Sequence, residues 1–472
     1  MMYAGMLVSY GALLLLRLLF FSSRRGALLH NRWLLWFNRH LALNPESGKS
    51  RYFAIVKQGL EWSPNVILWE RKMYDLSPPV RRRMMQNVFY WKGLVGNRRL
   101  ERWRKKGIHV PLHIFVSPTY RCNLHCVSCY ARSPRPGDLP FDVLERLVRE
   151  QEELGVFHVT LLGGEPFVRK DLWELFRKYP KTLFTVFTNG YFLGATEIER
   201  IRRLGNVRLV LSVEGFQQRT DERRGQGAFA QVERVLLLCK QANICYGISV
   251  TATAQNFHEV TSKEFLEWAV AAGCFYINYS SFVPMSASDA GFRLSSEQMK
   301  ELLALGESMM TSYPLLIAIG QNGSDFVTAC DAGGRMVHID AFGNITPCMF
   351  VPWAVDNIKE KGLIAAMQSP FFQVLRGLSA TGEPSVNPCK AYRSPLVQGI
   401  LQGHARPTNS MEVNRARVRG NLEGPTERKG QAGGRTRASR SAARGDENPN
   451  RGIRSAAGGV SEIVEPEERS RG

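Results

Sequence analysis

From position 111 onward the chain switches repeatedly between two hydrophobic periods. Short apolar runs at 113–117, 156–163, 182–188, 207–213, 245–252 and 274–283 are rich in Val, Ile, Leu, Phe and Thr and read as strands. Amphipathic stretches near 139–154, 171–179, 195–204, 228–242 and 261–272 separate them, and another lies near 294–311; their apolar residues recur at helical spacing. Six strands, each followed by a helix, predict an α/β fold with a parallel sheet and right-handed crossovers. A partial or full (βα)6 barrel, TIM-barrel-like, suits that order, and its site would lie at the carboxyl ends of the strands.

The pattern differs on either side of the repeat. Residues 6–21 form a nearly unbroken apolar run, close to the roughly 20 residues that a bilayer span needs, with Arg17 inside it. Arg24 and Arg25 follow and would hold the body of the chain on the cytoplasmic side. No small-residue cleavage site comes after the run, so a removed signal peptide is not expected. Residues 33–37, flanked by Arg32, Arg39 and His40, have the aromatic and basic make-up of an interfacial helix. We read 1–40 as a membrane-associated segment, with a core helix as the plainer alternative. Residues 41–110 read as a basic helical prelude, broken at Pro78-Pro79, that packs on the repeat. The repeat fills 111–315. Residues 316–392 read as a small cysteine-containing module, with a hairpin at 336–348 whose turn holds Gly343. Beyond Tyr392 there is neither an aromatic residue nor a cysteine, and the Arg/Gly-rich tail 393–472 is expected to be disordered.

Charge sharpens this division. The formal charge of +20 sits at the ends: 20 Lys and Arg face 5 Asp and Glu in 1–110, 27 face 28 in 111–392, and 15 face 9 in 393–472. The middle is a near-neutral domain, and basic ends suit an anionic membrane surface as partner. No RNA-binding module is recognisable, so nucleic acid is not expected.

Nine cysteines are an odd number, and three of them crowd into one loop, which points to metal ligation in a reducing compartment rather than to a disulfide framework. Cys122, Cys126 and Cys129 have the spacing Cys-x3-Cys-x2-Cys directly after the first predicted strand. Three thiolates on one loop can hold three irons of a cubane and leave the fourth open. Zinc is the rival, although structural zinc wants four ligands, usually as two separated pairs. Cys239, Cys245 and Cys274 fall in strand or helix contexts and read as core residues.

The loop Arg121-Cys122-Asn-Leu-His-Cys126-Val-Ser-Cys129-Tyr130 resembles the signature of the radical S-adenosylmethionine (SAM) superfamily. The resemblance implies a catalytic 4Fe-4S cluster on the three cysteines, with the open iron chelating the amine and carboxylate of SAM. The supporting segments follow in order. Gly163-Gly164-Glu165 resembles the family segment that binds the SAM amino group, where Gly allows close approach and an acidic side chain pairs with an ammonium. Thr188 and Asn189 stand at a family turn near the cofactor. Ser212 and Glu214 stand where the family often has Ser-x-Asp-Gly near the SAM ribose and carboxylate. Arg224 matches a family arginine that pairs with the SAM carboxylate; a solvated pair with Arg223 is the plainer reading. Ser249 and Thr251 are either cofactor contacts or inward barrel residues. Many members carry an aromatic residue just before the third cysteine, near the adenine; here Ser128 takes that place and Tyr130 follows, so Tyr130 is the cofactor contact expected.

Cys330, Cys348 and Cys389 with Gly343 resemble the opening of the auxiliary-cluster (SPASM or twitch) modules appended to such enzymes. Tyr392 stands where a further cysteine pair would be needed, so one auxiliary iron–sulfur cluster at most is expected, with His338, Asp331 or substrate as its fourth ligand; three ordinary buried cysteines are the alternative. Segments such as Ser117-Pro-Thr and Ser212-Val-Glu-Gly-Phe216 further resemble an iron–sulfur oxidoreductase branch, which gives mechanism without substrate. The function implied is reductive SAM cleavage and hydrogen abstraction from a lipid or isoprenoid first, a peptide or protein second and RNA third. A flavodoxin or ferredoxin would supply the electron. A non-catalytic, cysteine-rich membrane scaffold is the rival.

Overall fold

A computed structural model describes residues 72–132, 136–284, 287–320, 332–351, 353–380, 395–404 and 406–407. The membrane-associated segment expected at 1–40, the first part of the prelude, Cys330, Asp331, Cys389 and the tail beyond 407 lie outside them. Among the described residues no helix is long and apolar enough to cross a membrane.

The strands form where the apolar runs put them: β1 (His113–Val116), β2 (His158–Leu161), β3 (Leu183–Thr188), β4 (Val207–Val213), β5 (Tyr246–Ala252) and β6 (Tyr276–Ser281). They pair in chain order and in parallel. Helices cover their outer face. The helix Phe141–Leu154 shows why: Leu144, Leu147, Val148, Gln151 and Leu154 lie on one buried stripe, and the helix stops at Gly155, whose φ of 98° forms a left-handed cap. β3 is buried along nearly its whole length, as a strand covered on both faces must be.

Three features depart from the sequence reading. A seventh strand, β7 (Leu316–Gly320), pairs with β6, so the expected boundary at 315/316 falls inside the sheet. The expected hairpin forms as β8 (Met336–Ile339) and β9 (Asn344–Thr346), but β8 pairs in parallel with β1 and extends the main sheet instead of standing apart. Val337, Ile339 and Ile345 are fully buried, which rewards that continuation. The short strands β10 (Trp353–Ala354) and β11 (Asp356–Asn357) follow, and β11 closes the order β11-β9-β8-β1-β2-β3-β4-β5-β6-β7. The tail was expected to be disordered from 393, yet Pro395–His404 is a helix whose Val397 and Leu401 enter the core, and β12 (Arg406–Pro407) pairs with β10. Two apolar residues at i,i+4 suffice to dock a helix face.

The prelude crosses the feet of the strands in reverse order. The Lys72 amine donates to the Cys274 carbonyl before β6. Ser77 N–H donates to Asn243 O before β5 (2.8 Å). In α1 (Pro78–Met85), Pro79 lies against Gly205 before β4. A wide, π-type helix, Gln86–Gly96, carries Asn87 to Pro180 O before β3 (3.1 Å) and Trp91 to Phe157 before β2 (ring centroids 5.6 Å). Then α2 (Asn97–Lys105) leads to Leu112, whose N–H donates to Arg335 O beside β1 (2.8 Å).

Candidate active site

The three-cysteine loop leaves the carboxyl end of β1 and is zipped to the end of β2. Gly164 N–H donates to Thr119 O and Glu165 N–H to Arg121 O, both at 2.9 Å. The approach is so close that a Cβ on Gly164 would stand 2.2 Å from Arg121 O, and Gly163 has a φ of 116° that L side chains rarely adopt. The glycines act as the resemblance implied, but toward the loop's own backbone.

Cys122 Sγ faces two N–H donors, Leu124 N (3.4 Å) and Asn189 Nδ2 (3.8 Å), and Asn189 Nδ2 also donates to Asn123 Oδ1 (2.9 Å). Burial of the thiol end pushes Cys122 up to about 11. Burial also raises Cys129, with Cys126 adding to it and Arg223 and Arg224 opposing. A thiol held neutral by desolvation becomes a thiolate when a cation binds it, and N–H groups aimed at sulfur favour that form. Among the described residues no three such side chains converge on a single metal ion, and the N–H donors aimed at Cys122 Sγ suit a thiolate of a larger iron–sulfur cluster.

Glu165 is 1% exposed. Its Oε1 accepts from Thr188 Oγ1 (2.8 Å) and Phe167 N (3.0 Å), and its Oε2 from Asn189 N (2.8 Å). Burial raises it to about 7 against those bonds. These bonds tie the β2 end to the β3 end.

Arg224 lies on the helix Gln217–Arg224 with Arg223. Its Nε (2.9 Å) and Nη2 (2.5 Å) both donate to Glu214 Oε1, while Arg223 Nη1 stands 2.6 Å from Glu214 Oε2. The three side chains form one buried cluster rather than a solvated pair. Arg224 thus presents Nη1, not an open fork, to any carboxylate. Arg223 O accepts from Val127 N–H (2.8 Å), which ties the cysteine loop to this cluster.

The Tyr130 ring meets Phe350 edge-on (5.4 Å between centroids), and burial, with Cys129 and Cys348 nearby, raises its pKa. It links the loop to the segment after β9. Ser128, at φ 53°, donates to Asp289 Oδ1 (2.5 Å).

Ser212 is half-buried on β4, level with Ser249 and Asn278 across β5 and β6. Thr251 is level with Ser280, and Asn278 Nδ2 donates to Ser280 Oγ (3.2 Å). These are inward residues of the β5–β6 wall. Cys348 is half-buried; its relation to Cys330 and Cys389 lies outside the described residues. His338 is not a ready ligand: its Nε2 bonds Ser117 Oγ (2.8 Å), its Nδ1 bonds Thr346 Oγ1 (3.1 Å), and burial holds it down to about 3. Cys239, Cys245 and Cys274 are buried core residues, as expected.

Sequence reasoning missed two positioning residues. Asn256 donates to both Glu214 O (2.8 Å) and Thr251 O (3.0 Å), and no pattern marked it. Asp289 was equally unmarked.

Comparison with known proteins agrees with this geometry. Residues 116–269 match the radical SAM superfamily, and residues 330–393 match the SPASM iron–sulfur cluster-binding domain. The sporulation killing factor maturation protein SkfB of Bacillus subtilis is 28% identical over 266 residues, which cover 54% of this chain and 64% of that protein. The mycofactocin maturase MftC of Mycobacterium tuberculosis is 28% identical over 262 residues, 52% of this chain and 66% of that protein. The chain thus spans slightly under two thirds of the length of both. The crystal structure of Streptococcus suis SuiB bound to S-adenosylmethionine shares the fold, at a TM-score of 0.51 and 19% identity over 60% of this chain and 72% of that one.

Proposed function

The chain carries a radical SAM domain followed by an SPASM-type iron–sulfur cluster-binding domain, and on that premise we propose that it is a peptide-modifying radical SAM enzyme. Bound here, the cluster would supply the electron for reductive cleavage of SAM, and the radical so formed would take a hydrogen atom from the substrate. Cys122, Cys126 and Cys129 would hold the cluster. Leu124 N–H and Asn189 would steady the Cys122 sulfur, and Glu165 would keep the ends of β2 and β3 in register beneath it. Gly163 and Gly164 leave room beside the loop, and Ser212 with Arg224 Nη1 would meet the polar end of SAM. Glu214 would hold Arg224 in place, and Thr188 would hold Glu165. Cys330, Cys348 and Cys389 would serve one auxiliary cluster. A flavodoxin or ferredoxin would supply the electron.

The observation that carries this reading is the cysteine loop bonded at once to the ends of β2, β3 and the helix after β4. It sets the scaffold reading aside, since a scaffold has no need of SAM-side segments assembled around the thiols. Peptide replaces lipid as the first substrate class because two relatives are named as maturation proteins. Attachment to the cytoplasmic face of a membrane stays part of the proposal on residues 6–21 and their basic flank; sedimentation with anionic vesicles, lost on deletion of 1–40, tests it.

The deciding experiment is anaerobic reconstitution, with iron and sulfide assayed and 5′-deoxyadenosine followed after SAM and dithionite are added. Wild type is expected to form it, and the Cys122/Cys126/Cys129→Ala variant to form none. A protein that loads zinc and does not bind SAM would sink the reading.

A further inference from the structure

β4 places Arg208 on the same strand face as Ser212, about 13 Å toward the foot of the barrel. The surroundings of Arg208 are built. Gly247 lacks a side chain, and the Tyr276 ring lies against it, 2.6 Å from where a Cβ would stand. The Tyr276 hydroxyl donates to Leu209 O (2.6 Å), which fixes the ring, and the Arg208 guanidinium lies over it, 5.4 Å from the centroid. Arg208 Nε donates to Thr185 Oγ1 (2.6 Å), and Nη2 lies 3.5 Å from His158 Nε2. Lys92, from the wide helix that crosses the strand feet, is close enough to Arg208 for the repulsion, added to desolvation, to lower its pKa.

Among the described residues no Asp or Glu side chain pairs with Arg208 or Lys92. Cations in such a setting are ordinarily paired. The charge faces the same interior as Ser212, Ser249 and Asn278, and the distance to Ser212 is that of about four residues of extended chain.

We infer that Arg208, laid on the Tyr276 ring with Lys92 beside it, binds a carboxylate of the peptide substrate, so that the barrel selects an acidic side chain or a free carboxyl terminus about four residues of extended chain below Ser212. The inference rests on the peptide-modifying reading. The guanidinium supplies Nη1 and the outer edge of Nη2 as donors, a geometry suited to a carboxylate. Lys92 adds a second positive charge beside it.

The test is calorimetric titration of the full chain with three probes: N-acetylglutamate α-methylamide, N-acetylalanine and N-acetylglutamine α-methylamide. The first carries a side-chain carboxylate, the second a terminal one and the third none. We expect one or both acids to bind, the uncharged amide not to bind, and Arg208→Gln to weaken binding by about tenfold or more. Arg208→Lys should recover part of that loss, and Lys92→Gln should weaken the same probe less. Whichever acid binds better identifies the source of the carboxylate. Equal binding of acid and amide, no binding of either acid to wild type, or tighter binding of inorganic phosphate would each overturn the inference. Arg208→Gln that binds normally would do the same, and a thermal melt matching wild type shows that a weakened variant is folded. SAM cleavage by the loaded wild-type chain reports on the radical reading alone, so the two can fail separately.

Discussion

At the carboxyl ends of β1–β4 the charges are met by protein. Glu165 is closed over by Thr188, Asn189 and Phe167, and Glu214 by Arg223 and Arg224. At the amino ends, Arg208 and Lys92 share a buried neighbourhood with a neutral His158, whose pKa burial and these cations push far down, and among the described residues no carboxylate pairs with them. The upper end uses its charges on itself, to hold a loop in place. The lower end leaves charge over, which is what a binding surface for something foreign requires. Cofactor chemistry is fixed, so its site can be pre-tied; a substrate must bring the complementary group.

The contrast can be tested by removing charge at each end. Glu214→Ala strands two guanidiniums in a buried site and should cost about 3–5 kcal/mol in denaturant unfolding. A cost below about 1 kcal/mol would mean that the cluster is solvated and the contrast false. The next effect is acid-dependent. His338 is held neutral, its folded pKa of about 3 lying well below the ordinary 6.5. Its stabilising contribution is therefore complete above pH 6.5 and is lost as the pH falls from there toward 3. Asp340, raised to about 6 by burial, works in the opposite sense, since its burden eases as the pH falls below 6. Comparing wild type with His338→Gln isolates the histidine: wild type should lose about 3 kcal/mol relative to the variant between pH 6.5 and 4. Parallel curves would show that His338 is not buried neutral.

Gly164→Ala should cost about 1–3 kcal/mol and lower the iron loaded per chain, because its Cβ meets backbone that cannot yield. Normal loading would show that the zipper does not position the thiols. The smallest effect belongs to the strand feet. Arg208→Gln breaks no ion pair and should change stability by under about 1 kcal/mol, measured in the same unfolding assay. A loss as large as that of Glu214→Ala would make Arg208 structural and erase the difference between the two ends.

The sequence made much of the upper end legible and little of the lower. The six strands could be located because parallel strands are apolar on both faces, and the motif segments because glycines, cysteines and acids at strand ends are rare unless used. β7 was missed: Leu316–Gly320 is short, with Leu316 47% exposed and no clean alternation, and it follows a helix with only a brief turn. The partners of Glu165 and Arg224 could not be read, because a carboxylate can face a cofactor or a neighbouring strand with the same sequence. Arg208 did leave a signal, a lone cation four residues before Ser212 in an otherwise apolar strand, but only the Tyr276 ring and the missing counter-charge give it meaning.

The reverse path of the prelude has a consequence for how the chain is made. Lys72 leaves the ribosome first, yet its carbonyl partner at Cys274 is 202 residues away. At ordinary synthesis rates of about 5–20 residues per second, the two are separated by about 10–40 s. Met73, Leu76, Val80 and Met84, all buried in the finished fold, are covered only as the feet of β4, β5 and β6 are made. The segment that emerges early therefore docks stepwise and in reverse, and the nascent chain carries an apolar ribbon that invites a chaperone while those strands are synthesised.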